Sequence, residues 1–109
     1  MSNLEAIKKR FLKDGLSKRL GGIASNLARL KSFSQMPNNK KVINDLIEES
    51  KFFIEWTAPD ASLDIQEELV NIQLKLALCS LSNKQKEIAG SADKWAEKIL
   101  KLSGLLKNN

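Results

Sequence analysis

Pairs of carboxylates spaced four residues apart are the side chains of this sequence that come nearest to a catalytic or metal-binding pattern. Asp45 and Glu49 form one pair, and Asp64 and Glu68 form another. At helical spacing both members of a pair lie on one face, where carboxylate oxygens can bind a hard cation or move a proton. Solvated helix faces produce the same spacing frequently. We therefore interpret these pairs as surface charges and predict no metal site there.

The other residue types argue against an enzyme. The chain has no histidine and no tyrosine, so the commonest general base and the commonest nitrogen ligand of metals are missing. Its single cysteine, Cys79, is in line with Ile72 and Leu76 on the apolar side of a predicted helix, which is typical of a buried small hydrophobe. No glycine-rich segment continues into the Gly-Lys-Ser/Thr of a phosphate-binding loop. We predict a protein without catalytic residues, metal or cofactor.

Length and composition predict a single helical domain over residues 1–109. Apolar residues make up 42% of the chain and charged residues 28%, which is enough apolar surface for a core. Leu, Lys, Ala, Glu and Ile dominate, and these residues favour helices. No apolar run approaches the roughly 20 residues that span a bilayer, and no signal-peptide core opens the chain. With one cysteine, we expect a soluble cytoplasmic protein.

Apolar residues recur at helical spacing along the chain, and no stretch alternates with the period of a strand. The pattern predicts an all-α fold, a small bundle of about four helices. The predicted helices cover Asn3–Ser34, Lys40–Trp56, Ala58–Leu81 and Lys84–Leu106. A start of the third helix at Ala61 instead of Ala58 stays open, and so does an interruption of the last helix at Gly90–Ser91.

The first of these helices is predicted to be jointed near Asp14–Gly15. Leu4, Ile7 and Phe11 share one face of the helix. The apolar residues from Leu16 to Leu30 share a different face, rotated by roughly 150° at helical twist. Since a straight helix cannot direct both sets toward one core, the chain must bend between them.

The second predicted helix has an aromatic pair opposite its main apolar stripe. Phe52 and Trp56 are four residues apart and lie among acidic side chains that include Asp45 and Glu49. One interpretation is that this helix is buried on both sides. The other is an acidic, aromatic site for a basic partner helix, because aromatic residues ringed by charge are typical contact anchors.

The third predicted helix has two apolar stripes. One follows Ile65, Leu69, Ile72, Leu76 and Cys79, and the roughly opposite one follows Leu63, Val70, Leu74, Ala77 and Leu81, with Leu78 at its edge. Either this helix runs through the middle of the fold or its second stripe packs on another chain. Because a central helix is hard to surround in so short a chain, we expect a homodimer with two-fold symmetry.

Charge is distributed unevenly, with a net +8 over residues 1–41, −6 over 42–80 and +3 over 81–109. The N-terminal excess includes Lys8, Lys9, Arg10, Lys13, Lys18 and Arg19. Three interpretations stay open for these residues: a phosphate-binding surface for nucleic acid, an interfacial helix on a membrane surface, or pairing with the acidic middle segment. We favour pairing within the protein.

Three phrases of the sequence, "ASNLARLKSFS" (Ala24–Ser34), "EESKFFIEWTAPD" (Glu48–Asp60) and "LSGLL" (Leu102–Leu106), resemble a family of small, uncharacterised helical proteins from cyanobacteria. The resemblance covers most of the chain from Ala24 onward. It implies a cytoplasmic bacterial protein. The family has no assigned activity, so the resemblance implies no functional residues.

Taken together, the sequence predicts a non-catalytic interaction or adaptor module whose partner site comprises Asp45, Glu49, Phe52 and Trp56. The predicted dimer interface comprises Leu63, Val70, Leu74, Leu78 and Leu81. Nucleic-acid binding by the basic N-terminal residues is the alternative function.

Overall fold

The computed structural model describes residues 3–105, and every regular element in that range is helical. The elements are α1 (Asn3–Leu12), α2 (Leu16–Ser34), α3 (Lys40–Thr57), a single 3-10 turn (Ala58–Asp60), α4 (Leu63–Leu81), α5 (Gln85–Ala89) and α6 (Ala92–Ser103). The predicted all-α fold is therefore confirmed.

The helices are divided more finely than the four predicted segments. α1 and α2 are separated at Lys13–Gly15, which includes the predicted joint, and Gly15 is extended with ψ 168°. The predicted fourth helix is two helices, α5 and α6, with Gly90 and Ser91 between them. Its predicted end at Leu106 lies outside the described residues. Within them α6 ends at Ser103, followed by Gly104 in the left-handed conformation that favours glycine, with φ +80°.

The start of the third predicted helix is wrong, by five residues if it is placed at Ala58 and by two if it is placed at Ala61. Ala58–Asp60 forms the 3-10 turn, and α4 begins only at Leu63, after the extended Ser62. Asp64 secures this start, because its Oδ1 accepts hydrogen bonds from the Ser62 hydroxyl at 2.5 Å and from the Ile65 N–H at 3.0 Å. A side-chain oxygen at this point takes up one of the amide protons that have no partner at a helix N-terminus.

One hydrophobic core is shared by all the longer helices except α1, which borders it through Phe11. α2 contributes most of its apolar stripe and makes its most extensive contacts with α6 and α3. The fully buried large apolar residues are Leu20, Ile23, Leu27, Leu30, Ile43, Ile47, Leu69, Ile72, Leu76 and Ile99. Apart from α1, each helix turns one face to this core and another to the outside.

Two leucines of α4 give a direct test of this arrangement. Leu76 is 0% exposed in the core, whereas Leu74, two residues earlier, is 61% exposed. We expect Leu76→Ala to lower the free energy of unfolding by about 2–5 kcal/mol, because it leaves a cavity. Leu74→Ala should change it by no more than about 0.5 kcal/mol.

The measurement is urea unfolding followed by tryptophan fluorescence at sub-micromolar protein concentration, where association does not contribute. Equal losses for the two variants would contradict the orientation of α4.

Candidate functional site

α4 presents an apolar surface that the rest of residues 3–105 does not cover. Its inner stripe, from Ile65 to Cys79, is at most 7% exposed. On the opposite side five large apolar residues are between 54% and 86% exposed: Leu63, Val70, Leu74, Leu78 and Leu81. We call these five residues the α4 face. α4 is therefore a peripheral helix of the monomer, and the face is available for contact with another molecule.

A groove extends the α4 face on one side. It has a volume of about 390 Å³, and its walls include Ile54 of α3, Ala58 and Pro59 of the 3-10 turn, and Val70 and Leu74 of α4. Gln66 fixes one end of this wall, since its Nε2 donates a hydrogen bond to the Ala58 carbonyl at 2.8 Å.

The aromatic residues of α3 form a cluster that receives α1. Phe11 of α1 stacks on Phe53, with ring centroids 4.1 Å apart and an interplanar angle of 11°. Trp56 lies 5.9 Å from Phe11, 6.0 Å from Phe53 and 5.6 Å from Phe52. The Lys8 ammonium is 5.9 Å from the centroid of the Trp56 ring, which is within the range of a cation–π contact.

This cluster places the chain's own basic helix against part of the surface predicted for a basic partner helix. Phe52 and Trp56 lie together and are partly exposed, but α1 borders Trp56. Asp45 is eleven residues before Trp56, about 16 Å along the helix, and pairs with Lys41 at 2.9 Å. A carboxylate oxygen of Glu49 accepts a hydrogen bond from the buried Asn26 at 3.0 Å. The structure thus brings the two aromatic residues together and leaves Asp45 apart from them.

Arg19 has a structural position that the sequence analysis missed. Its side chain is only 8% exposed and pairs with Asp60 at 3.0 Å. Its Nε donates to the Asp14 carbonyl at 3.1 Å, and its Nη1 donates to the Trp56 carbonyl at 3.4 Å. One guanidinium therefore connects the joint before α2 with the turn between α3 and α4. The signal was present in the sequence, because Arg19 is at helical spacing from Ile23.

The other basic residues of the N-terminal segment fall into two groups. Lys18 pairs with Asp14 at 3.5 Å, and Lys8 contacts Trp56. Lys9, Arg10 and Lys13 are exposed and take no part in the ion pairs found between residues 3 and 105. Part of the positive charge of this segment is thus paired within the fold, and the rest is exposed to solvent.

The four paired carboxylates take part in separate ion pairs and hydrogen bonds, and the interpretation as surface charges is wrong for Glu68, which is buried because α4 turns it toward α6. Glu68, which is buried, pairs with Lys98 of α6 at 3.1 Å, and so links α4 to α6. The hydrogen bond from the Ser62 hydroxyl lowers the pKa of Asp64. Across residues 3–105 no three metal-ligating side chains converge into a group that could hold an ion.

Cys79 lies in the core between α4 and α5. Its Sγ donates a hydrogen bond to the Gln85 carbonyl at 3.4 Å. Burial raises the pKa of this thiol, because the thiolate would lose its hydration in the apolar interior. A neutral, buried thiol is a weak nucleophile, so its environment is that of a core residue.

Compared with known proteins, the chain matches no family model, no curated protein and no solved structure. Within the described part of the chain, none of the helices has the length and apolar character that crossing a membrane requires.

The hydrogen bonds of Arg19 to the Asp14 and Trp56 carbonyls generate a prediction about stability. Replacing Arg19 by Met retains most of the apolar stem but leaves the carbonyls of Asp14 and Trp56 without their donor. We expect Arg19→Met to lower the free energy of unfolding by about 1–3 kcal/mol. Lys18→Met, at the neighbouring position, removes an ion pair whose lysine is 78% exposed, and should change stability by less than about 1 kcal/mol.

Urea unfolding followed by far-UV circular dichroism measures both values. A loss for Lys18→Met as large as that for Arg19→Met would contradict a specific role of the buried guanidinium.

Proposed function

We propose that this protein is a non-catalytic interaction or adaptor module that binds another polypeptide through the α4 face. The observation that carries the proposal is the exposure of five large apolar side chains on the side of α4 opposite the core. Soluble proteins rarely expose a contiguous apolar surface of this kind without a partner.

The energy available from the α4 face supports this proposal. Complete burial of one leucine side chain contributes about 1.5–3 kcal/mol. Covering five such residues is therefore comparable with the roughly 4–15 kcal/mol that association costs in lost translational and rotational freedom. The adjoining groove adds apolar area at Ala58 and Pro59, so that the two surfaces together are sufficient for reversible binding.

The α4 face is favoured over the surface at Phe52 and Trp56 as the principal partner site. A partner at Trp56 would compete with α1, which already contributes Phe11 and Lys8 to the aromatic cluster. The α4 face has no such competitor among the described residues. In this proposal the acidic, aromatic surface serves first to hold α1 and offers at most a secondary contact through Phe52.

We also propose a cytoplasmic location and a relation to the cyanobacterial helical family. The location is supported by Cys79, the single cysteine, which is a free, buried thiol of the kind that is usual in a reducing compartment. The absence of catalysis in the proposal is supported by the lack of histidine and tyrosine in the chain.

Affinity capture with tagged variants tests the α4 face. Leu74→Lys places a charge in the middle of the face, where burial would be costly, and we expect it to remove the polypeptides that the unaltered protein retains from a cell extract. Leu12→Lys changes a residue that is also partly exposed, at 42%, but lies on α1. This control should retain the same polypeptides.

Far-UV circular dichroism confirms that both variants are folded. If the unaltered protein and both variants retain the same polypeptides, the α4 face is not the binding surface.

Nucleic-acid binding is the second candidate function, and the exposure of Lys9, Arg10 and Lys13 favours it. Lys9 and Arg10 are on α1 and Lys13 directly follows it, so that these exposed cations can approach phosphates, whereas Arg19 is turned inward to Asp60. In this proposal Arg19 contributes nothing to binding, and Lys18 contributes less than the α1 residues because it pairs with Asp14.

Fluorescence anisotropy of labelled DNA and RNA duplexes, at low and at physiological salt, tests this second function. Three phosphate contacts predict an affinity that falls with a slope of roughly −3 in log Kobs against log salt. Reversal of charge at Lys9, Arg10 and Lys13 should abolish binding. Reversal at Lys84, Lys86 and Lys94, which are exposed and take no part in the ion pairs found between residues 3 and 105, is the matched control. Flat titrations at both salt concentrations would exclude this function.

A further inference from the structure

The α4 face is complementary to itself, and we propose that its occupant is a second copy of this chain, with the two α4 helices antiparallel about a two-fold axis at the level of residue 72. This inference rests on the proposed function, since it takes the α4 face as the binding surface. It goes further by naming the partner and the register of the contact.

The outer side of α4 has the spacing of a helix-pairing seam. Steps of four and three residues alternate along Leu63, Glu67, Val70, Leu74, Ala77 and Leu81. This is the 3.5-residue repeat that keeps a seam directed at a neighbouring helix over several turns. The opposite side repeats every seven residues through Ile65, Ile72 and Cys79, and these three residues are buried in the chain's own core. One helix therefore serves two different neighbours.

The seam is symmetric about residue 72. A two-fold axis there places each residue opposite the one that is equally distant on the other side. Leu63 then faces Leu81 of the second copy, and Val70 faces Leu74. The one charged member of the seam, Glu67, faces the small Ala77, which leaves room for the glutamate stem to reach solvent. A symmetric dimer requires this reciprocity, since residue i must contact j wherever j contacts i.

The charges at the two ends of α4 distinguish antiparallel from parallel pairing. Asp64 and Glu67 are exposed near its N-terminal end, where Asp60 is already paired with Arg19. Lys84 and Lys86 follow its C-terminal end, and Glu87 offsets only one of these two positive charges. Antiparallel helices bring the acidic end of one copy to the basic end of the other. Parallel helices would place acid beside acid and lysine beside lysine, which is unfavourable. The helix dipoles act in the same direction, because they cancel in an antiparallel pair.

The extent of the surface sets the expected affinity. α4 has 19 residues and is about 28 Å long, so that one helix pair is at the lower end of stable interfaces. The groove beside Val70 and Leu74 enlarges the contact. We expect a reversible dimer with a dissociation constant in the micromolar range.

Light scattering after size-exclusion chromatography tests the dimer with the full chain. The mass should rise from the 12.2 kDa of the monomer toward twice that value between low and high micromolar concentration. Leu74→Lys should give the monomer mass throughout, whereas the control Leu12→Lys should dimerise as the unaltered chain does.

Each outcome decides separately on the two proposals. A monomer at every concentration overturns the second copy as occupant, while polypeptide capture that depends on Leu74 would still support the interaction module. A dimer that persists in Leu74→Lys overturns the α4 interface. If the unaltered chain stays a monomer and the polypeptides it captures do not depend on Leu74, both proposals are overturned.

Cross-linking tests the register. Leu63→Cys and Leu81→Cys are prepared as two single variants in a Cys79→Ala background, one of them with a tag that changes its size. A short bis-maleimide reagent is added to each variant and to their mixture. Antiparallel pairing predicts a product that joins the two different variants and little product from either alone. Products from each variant alone would indicate parallel pairing and overturn the proposed register.

Discussion

The structure depends on one constraint: the fold has a single hydrophobic core, and each longer helix can bury only one face in it. A chain of 109 residues cannot wrap a second layer around any of its helices. α2 illustrates this limit, because Leu20, Leu27 and Leu30 are buried while Ala28 and Arg29 on its other side are exposed. Every helix therefore has one inner stripe, and a second apolar stripe has no place inside the monomer. The α4 face is the direct consequence.

Polar groups inside this fold connect elements that apolar contact alone would leave loosely oriented. Arg19 donates hydrogen bonds to one backbone carbonyl at the joint before α2 and to another at the end of α3, and Glu68 of α4 pairs with Lys98 of α6. Burying a charge is costly unless it is paired. Arg19 and Glu68 therefore favour the observed arrangement of helices, in which both are paired, over arrangements that leave them buried without a partner. The apolar core stabilises compactness, and these bonds fix which ends of the helices lie together.

The repeating features of the fold could be predicted from the sequence, and the features that depend on one contact could not. Helical spacing was enough for the all-α fold, the joint before Gly15 and the two stripes of α4. It failed at Ala58–Ser62, because Pro59 is compatible with both a 3-10 turn and a first helical turn. It also assigned Arg19 and Trp56 to outward-facing sites, since spacing gives the face of a residue but not the neighbour that covers it.

The uneven charge of the chain is also explained in part by contacts within the fold. The basic N-terminal segment and the acidic middle segment meet at Arg19 and Asp60 and at Lys8 and the α3 aromatic cluster, so that part of the charge is used within the fold. Asp64 and Glu67 are exposed near the start of α4, and Lys84 and Lys86 follow its end, where Glu87 offsets one of the two lysines. A helix that is acidic at one end, basic at the other and apolar along one side is complementary to an antiparallel copy of itself. The surface that the core cannot cover is thus suited to a copy of itself.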